Sequence, residues 1–211
     1  LAKMTDCAVY SIDYAAAEGL VFPSVHDECF VAYCALSRGA LKGNRIITIG
    51  DSFGANLMLS SCLRLRDGGM SLPAAIICIS PYVDMAASGA SYEYNCRADP
   101  LYGLPKSQSY AQYASAVRRI SPYCGNTLKT QPLLSPAYGN FRGFSDMFVS
   151  CGGLETSASD SRMLVSRARQ SGVRVQFHEY GGMWHDFAYM FPRLKESKAA
   201  WRHMQLLVDD I

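Results

Sequence analysis

A serine hydroxyl becomes a useful nucleophile only when a base takes its proton, so the pattern to look for is a serine on a tight turn with a histidine and a carboxylate elsewhere in the chain. Gly50-Asp51-Ser52-Phe53-Gly54 is a G-x-S-x-G pentapeptide. It follows an apolar run, Arg45 to Ile49, and leads into Ala55 to Arg66, where Leu57, Met58 and Leu65 recur at helical spacing. Ser52 is therefore expected on a sharp strand-to-helix turn, with glycines relieving the crowding and the hydroxyl held above the sheet edge. The start of the helix favours negative charge developing nearby, and the Phe53 backbone N–H is the expected oxyanion donor.

The base must come from four histidines. His26 and His203 fall in helix-like segments and His178 inside a strand, where structural roles suit them. His185 lies in Gly181-Gly182-Met183-Trp184-His185-Asp186-Phe187, a glycine-led loop after the last strand-like run. The carboxylate that orients it should follow the preceding strand, in Gly152-Gly153-Leu154-Glu155-Thr156, which makes Glu155 the first candidate. Asp160 competes, but it sits where it would cap the next helix. Asp99 lies in an irregular stretch and not after a strand. Around these three, Asp51, Tyr82, Trp184 and Phe187 are candidates for the substrate pocket.

Such residues need a scaffold that carries them on neighbouring strand ends. Short β-branched runs (Cys7 to Ile12, Arg45 to Ile49, Ala74 to Ile79, Met147 to Cys151, Val173 to Tyr180) alternate with helix-compatible segments. Val25, Cys29, Tyr33 and Leu36 mark one helix, Met163, Leu164 and Ala168 another that stops at Gly172, and a last helix runs from about Lys195 with Trp201, Met204 and Val208 on one face. This alternation predicts an α/β fold with a mainly parallel sheet flanked by helices, in one domain over residues 1–211. The rhythm breaks between Asp84 and Phe144, where five prolines and seven tyrosines up to Tyr138 predict a lid-like excursion, 84–144, before the acid.

Composition excludes several classes. With 18% charged residues, a net charge of +2 and no basic run longer than a pair such as Arg118 and Arg119, nothing supports nucleic-acid binding. No apolar stretch approaches the roughly 20 residues that span a bilayer. Cys7, Cys78 and Cys151 in strand-like runs and Cys29, Cys34 and Cys62 at helical spacing read as buried free thiols, which favours a reducing, cytoplasmic compartment. There is no CxxC pair and no Cys/His cluster at zinc spacing, so no metal or other cofactor is expected.

These residues resemble the hormone-sensitive-lipase family of esterases and lipases, which has the α/β-hydrolase fold. Gly50-Asp51-Ser52-Phe53-Gly54-Ala55-Asn56-Leu57 is similar to the family's GDSAGGNL, Asp13-Tyr14 and Phe22-Pro23 to parts of its DYRLAPE…FP segment, and Ser80-Pro81-Tyr82-Val83-Asp84 to SPWxD. Glu155 with Asp160-Ser161 resembles the E-x4-D-S form in which glutamate is the triad acid, and its distance of 30 residues from His185 resembles the family's. Ala15 stands in place of Arg, Glu18-Gly19 in place of Pro-Glu, and Phe53 and Ala55 in place of Ala and Gly. The family's HGG loop, which completes the oxyanion hole, precedes the Asp13-Tyr14 strand. The expectation is that the polypeptide extends upstream of Leu1 and supplies it with the N-terminal cap and first strands.

The resemblance implies a carboxylic-ester hydrolase with Ser52, Glu155 and His185 as triad, a small-molecule ester substrate, no cofactor, and room for a homodimer, and the tyrosine-rich excursion with Trp184 and Phe187 beside the histidine suits small to medium acyl groups. The alternatives are a non-catalytic ligand-binding relative of the same fold, or a hydrolase of an amide, a lactone or an acetylated natural product.

Overall fold

The computed structural model describes residues 1–14, 19–43, 45–113 and 122–211. Ala15, Glu18, Arg118 and Arg119 lie outside the described residues. Strands β1 (Ile47–Asp51), β2 (Ala75–Ile79), β3 (Asp146–Gly152) and β4 (Val175–Tyr180) form a parallel sheet in the order β1-β2-β3-β4. In chain order the helices with both ends among the described residues are α1 (Ala2–Thr5), α2 (Ser24–Arg38), α3 (Phe53–Asp67), α4 (Ser91–Tyr94), α5 (Ala158–Gln170), α6 (Phe187–Met190) and α7 (Lys195–Asp209).

Side chains alternate across a strand, and this sheet is covered on both faces, so neighbouring strand residues enter different cores. Ile76, Cys78, Met147 and Val149 face Leu59, Cys62 and Leu63 of α3 and Leu164, Val165 and Ala168 of α5. Ala75, Ile77, Ile79 and Phe148 face the opposite way, onto Met204 and Leu207 of α7. The four-residue and three-residue steps between Ala200, Met204 and Leu207, all buried, give α7 one apolar stripe. Helix α2 lies outside α3, with Val25 and Cys29 against Leu57.

Parallel strands in register end on the same side. Asp51 pairs with Ile79, Ile79 with Ser150, and Gly152 with Tyr180, so the segments that follow β1, β3 and β4 leave along one edge. Those segments carry Ser52, Glu155 and His185.

The four strands after residue 45 match the expected runs to within two residues. The expected strand over Cys7 to Ile12 is absent, and so is strand structure at Asp13-Tyr14. A strand exists by pairing, and no described strand runs beside this segment, which leaves Val9 and Tyr10 about half exposed. Cys7 is accordingly exposed, contrary to its reading as a buried thiol, and Cys34 is only partly buried, although all eight cysteines are free. The described parts of the 84–144 excursion include α4 and 3₁₀ turns at Pro122–Cys124 and Pro136–Tyr138. They contribute Met85, Tyr92, Leu134, Ala137 and Phe141 to the interior. Among the described residues, no helix is long and apolar enough to cross a membrane and no cluster of metal-ligating side chains forms.

Phe148 is 1% exposed between the sheet and α7. Phe148→Ala should cost about 3–5 kcal/mol and lower the Tm by roughly 10 °C, whereas Leu128→Ala, at a position 78% exposed, should move it by less than about 2 °C. Thermal melts of the two variants check the assignment of this core.

Candidate active site

Strand β1 ends at Asp51, and the chain reverses through Ser52 into α3. Ser52 takes φ 51° and ψ −121°, a region that a residue with a Cβ enters only when its surroundings hold it there. Its N–H donates to Ile79 O at 2.9 Å, and its carbonyl accepts from Tyr82 N–H at 3.1 Å and Ala55 N–H at 3.2 Å. Gly50 makes the turn possible, because a Cβ there would stand 2.6 Å from Ala55 N and from Gly54 O. Gly54 does not share that duty: the nearest atom to a Cβ at that position is Asp51 Oδ1, at 3.9 Å.

Phe53 begins α3, so its N–H is among the first-turn amides that have no intrahelical acceptor. Its ring leaves the turn and packs edge-on against His26 and Tyr123, with centroids 5.8 and 5.7 Å away. The large side chain in the elbow is thus absorbed by an aromatic cluster. His26 bridges that cluster to α3, with Nδ1 2.7 Å from Tyr123 Oη and Nε2 3.0 Å from Asn56 Oδ1. Burial lowers its pKa to about 4, so it is neutral, with a structural role.

The loop after β4 brings His185 over Ser52, with Nε2 2.9 Å from Ser52 Oγ and Nδ1 3.1 Å from Glu155 Oε2. Glu155 has no exposed surface. Its Oε1 accepts from Gly152 N–H at 2.5 Å and Ser80 Oγ at 2.7 Å, and its Oε2 accepts from Ser157 Oγ at 3.2 Å. The acid and histidine loops touch backbone to backbone, since Leu154 N–H donates to Met183 O at 2.8 Å. A Cβ on Gly152 would overlap the Met183 carbonyl, which explains a glycine that the sequence pattern alone left without a purpose.

The other carboxylates have different duties. Asp160 is not the cap expected of it. It lies inside the first turn of α5, whose N-cap position is Ser157, and reaches across to accept from Val83 N–H at 3.0 Å and Asp84 N–H at 2.9 Å. Burial, with the Asp84 charge beside it, pushes its carboxyl well above the usual range. Asp99 is also buried and structural, accepting from Thr156 N–H at 2.9 Å and from Leu101 N–H at 3.0 Å. Asn95 adds side-chain N–H bonds to the carbonyls of Gly153, at 2.9 Å, and Glu155, at 2.8 Å. The 84–104 part of the excursion therefore clamps the acid loop.

Among the expected pocket residues, Asp51 is exposed beside the serine, and desolvation together with the Asp186 charge raises its carboxyl pKa. Tyr82 backs the elbow through its N–H and packs with Phe53, Met85 and Leu134. Trp184 is partly buried, edge-on to Phe191 at 5.4 Å. Phe187 does not line a pocket: it is 1% exposed and packs into the interior against Tyr180, Ala188 and Ala200. The reason is its place as the first residue of α6, whose buried face, Phe187 and Ala188, packs on Ala200 of α7 and on Tyr180 at the end of β4.

Sequence reasoning missed three neighbours. Tyr102, 58% exposed, sets its ring perpendicular to the His185 imidazole at 4.8 Å, on the turn that Asp99 braces. Asp186 places Oδ2 3.3 Å from the same His185 Nε2 that faces Ser52. Ser80 joins both loops. Only Ser80 carried a signal, as part of the Ser80-Pro81 motif. Burial of the imidazole works against its charged form, but the Asp186 and Glu155 carboxylates outweigh it and push the His185 pKa up to about 10.

Comparison with known proteins agrees with this architecture. A family model described as the alpha/beta hydrolase fold matches residues 1–189. The chain is 30% identical over 201 residues to an acetyl-hydrolase of Streptomyces hygroscopicus and 31% identical over 203 residues to an esterase of Acinetobacter venetianus. These alignments cover 95% and 94% of this chain but 64% of each relative, so the chain spans less than two thirds of their length. The crystal structure of an esterase from the bacterial hormone-sensitive lipase family superposes with a TM-score of 0.85 at 31% identity, covering 98% of this chain and 67% of that one.

The electrostatics predict a measurable titration. By NMR, the His185 imidazole should stay protonated through neutral pH and lose its proton near pH 10, while Asp186→Asn should lower that pKa by at least about one unit, because one of two stabilising carboxylates is gone. His26 should remain neutral down to about pH 4 in both proteins. An unchanged His185 titration in Asp186→Asn would show that Asp186 does not act on Nε2.

Proposed function

The chain belongs to the α/β-hydrolase fold family, among the esterases of hormone-sensitive-lipase type, and from that premise we propose that it is a carboxylic-ester hydrolase working through an acyl-enzyme. The observation that carries the proposal is the continuous line of hydrogen-bond distances from Ser52 Oγ to His185 Nε2 and from His185 Nδ1 to the buried Glu155. Ser52 Oγ attacks the ester carbonyl while His185 Nε2 takes its proton. Glu155 holds the imidazole in the tautomer that leaves Nε2 free and offsets the charge of the imidazolium. The tetrahedral oxyanion forms beside the Phe53 N–H; losing one such donor typically costs ~10²–10³ in rate. His185 then returns the proton to the leaving alcohol, and water repeats the sequence on the acyl-Ser52 ester.

The base must be unprotonated to act, so the Asp186 carboxylate beside Nε2 opposes the first step and turnover should rise with pH on the alkaline side of neutrality. Tyr102 lies edge-on to the histidine at 4.8 Å and Trp184 is the histidine's chain neighbour, and both suit an apolar or aromatic portion of the ester. The acyl portion is small to medium in this reading. The likeness to an acetyl-hydrolase supports acetyl esters, including acetylated natural products, as the first substrates to test.

Three substitutions separate the roles. Ser52→Ala should abolish hydrolysis of p-nitrophenyl acetate without lowering the Tm, and a fluorophosphonate probe should label Ser52. Glu155→Gln should slow turnover by roughly 10⁴, the cost of holding the wrong tautomer. Asp160→Asn keeps an oxygen for the Val83 and Asp84 N–H groups and removes a carboxyl whose charged form burial disfavours, so it should change the Tm little and cost far less in kcat than Glu155→Gln. Wild-type turnover in Ser52→Ala contradicts the proposal.

A further inference from the structure

Ser80 stands at the end of β2, where the sheet edge passes between the acid and histidine loops. It has no solvent exposure. Its hydroxyl donates to Glu155 Oε1 at 2.7 Å, and the same oxygen accepts the Asp186 N–H at 3.1 Å. Its own N–H donates to Ser150 O of β3 at 2.7 Å, so the residue is fixed to the sheet. One atom therefore touches the residue expected to orient the base and the residue immediately after the base. Because the donor goes to Oε1, Oε2 is left facing His185 Nδ1. The backbone adds an independent argument. Ser80 has φ 44°, a left-handed conformation that glycine would adopt with less strain, yet a hydroxyl-bearing residue is held there.

We infer that Ser80 is a positioning residue for the acyl-transfer reaction, its hydroxyl setting the Glu155 carboxylate and the His185 loop against each other. This inference rests on the esterase reading above. The bare alternative is that the hydroxyl only satisfies two buried polar groups. The two differ in what its removal does to the His185–Glu155 contact. A carboxylate that loses a donor on Oε1 is free to rotate, and a histidine loop that loses its anchor at Asp186 is free to move away from it. Both changes lengthen the Nδ1–Oε2 hydrogen bond, and a misplacement of about 1 Å in a catalytic geometry costs about 10²-fold.

Two variants of the intact protein test the inference. Ser80→Ala removes the hydroxyl and keeps the strained backbone, while Ser80→Gly removes the hydroxyl and relieves it. Both should remain folded by thermal melt, lose about 10²-fold in kcat on p-nitrophenyl acetate with KM little changed, and show the downfield proton resonance of His185 Nδ1–H moved upfield. Wild-type kcat with an unmoved resonance in Ser80→Gly overturns the inference, whatever Ser80→Ala does, because the backbone and not the hydroxyl would then be responsible. A fully active Ser52→Ala would remove the esterase reading instead. The resonance needs no turnover and still decides what Ser80 holds.

Discussion

Taking a carboxylate out of water costs several kcal/mol unless protein groups replace the hydration it loses, and Glu155 has no solvent-exposed surface at all. Much of the surrounding structure answers that requirement. Gly152 N–H, Ser80 Oγ, Ser157 Oγ and His185 Nδ1 converge on its two oxygens from the end of β3, the end of β2, the start of α5 and the loop after β4. No two of those donors come from the same element. The carboxylate thus acts as a node that ties the strand ends together, and the imidazole is one of the groups it fixes.

The node works because the sheet delivers its contributors to one place. In-register parallel pairing aligns the ends of β1 to β4, the two-faced core fixes that register, and Gly50 and Gly152 let backbones approach where a side chain would collide. A long excursion is a natural place for a site to loosen, yet its 84–104 part does the opposite. Asn95 and Asp99 hold the acid loop through its backbone, and the turn braced by Asp99 lays Tyr102 against the histidine. Ser91 and Ser159 exchange N–H to hydroxyl bonds at 2.9 and 2.8 Å, which pins the start of α5 to the same segment.

The parts written in local pattern were legible in the sequence. Four strands and the helices α2, α3, α5 and α7 follow from runs of apolar residues whose period and flanking glycines are intrinsic to the segment. Loop position relative to those strands points to Ser52, His185 and Glu155, and in the fold His185 lies within hydrogen-bond distance of each of the other two. What failed depended on partners distant in sequence. Cys7 to Ile12 has strand composition but, among the described residues, no strand beside it to pair with. Asp160 has the position of a helix cap, yet two N–H groups from residues 83 and 84 claim it. Phe187 neighbours the histidine in sequence but is turned inward by α6. Asp186 and Tyr102 carried no motif, because their effect on His185 exists only through distances of 3.3 and 4.8 Å in the folded chain.

The central claim is that Ser52, activated through His185 and Glu155, carries the acyl group between ester and water. The most direct measurement is peptide-level mass spectrometry of the protein acid-quenched during turnover of p-nitrophenyl butyrate. The account predicts a mass gain of one butyryl group confined to the peptide containing Ser52, at highest occupancy during the initial burst. Butyryl on any other residue, or steady turnover with none on that peptide and full activity retained in Ser52→Ala, would contradict it.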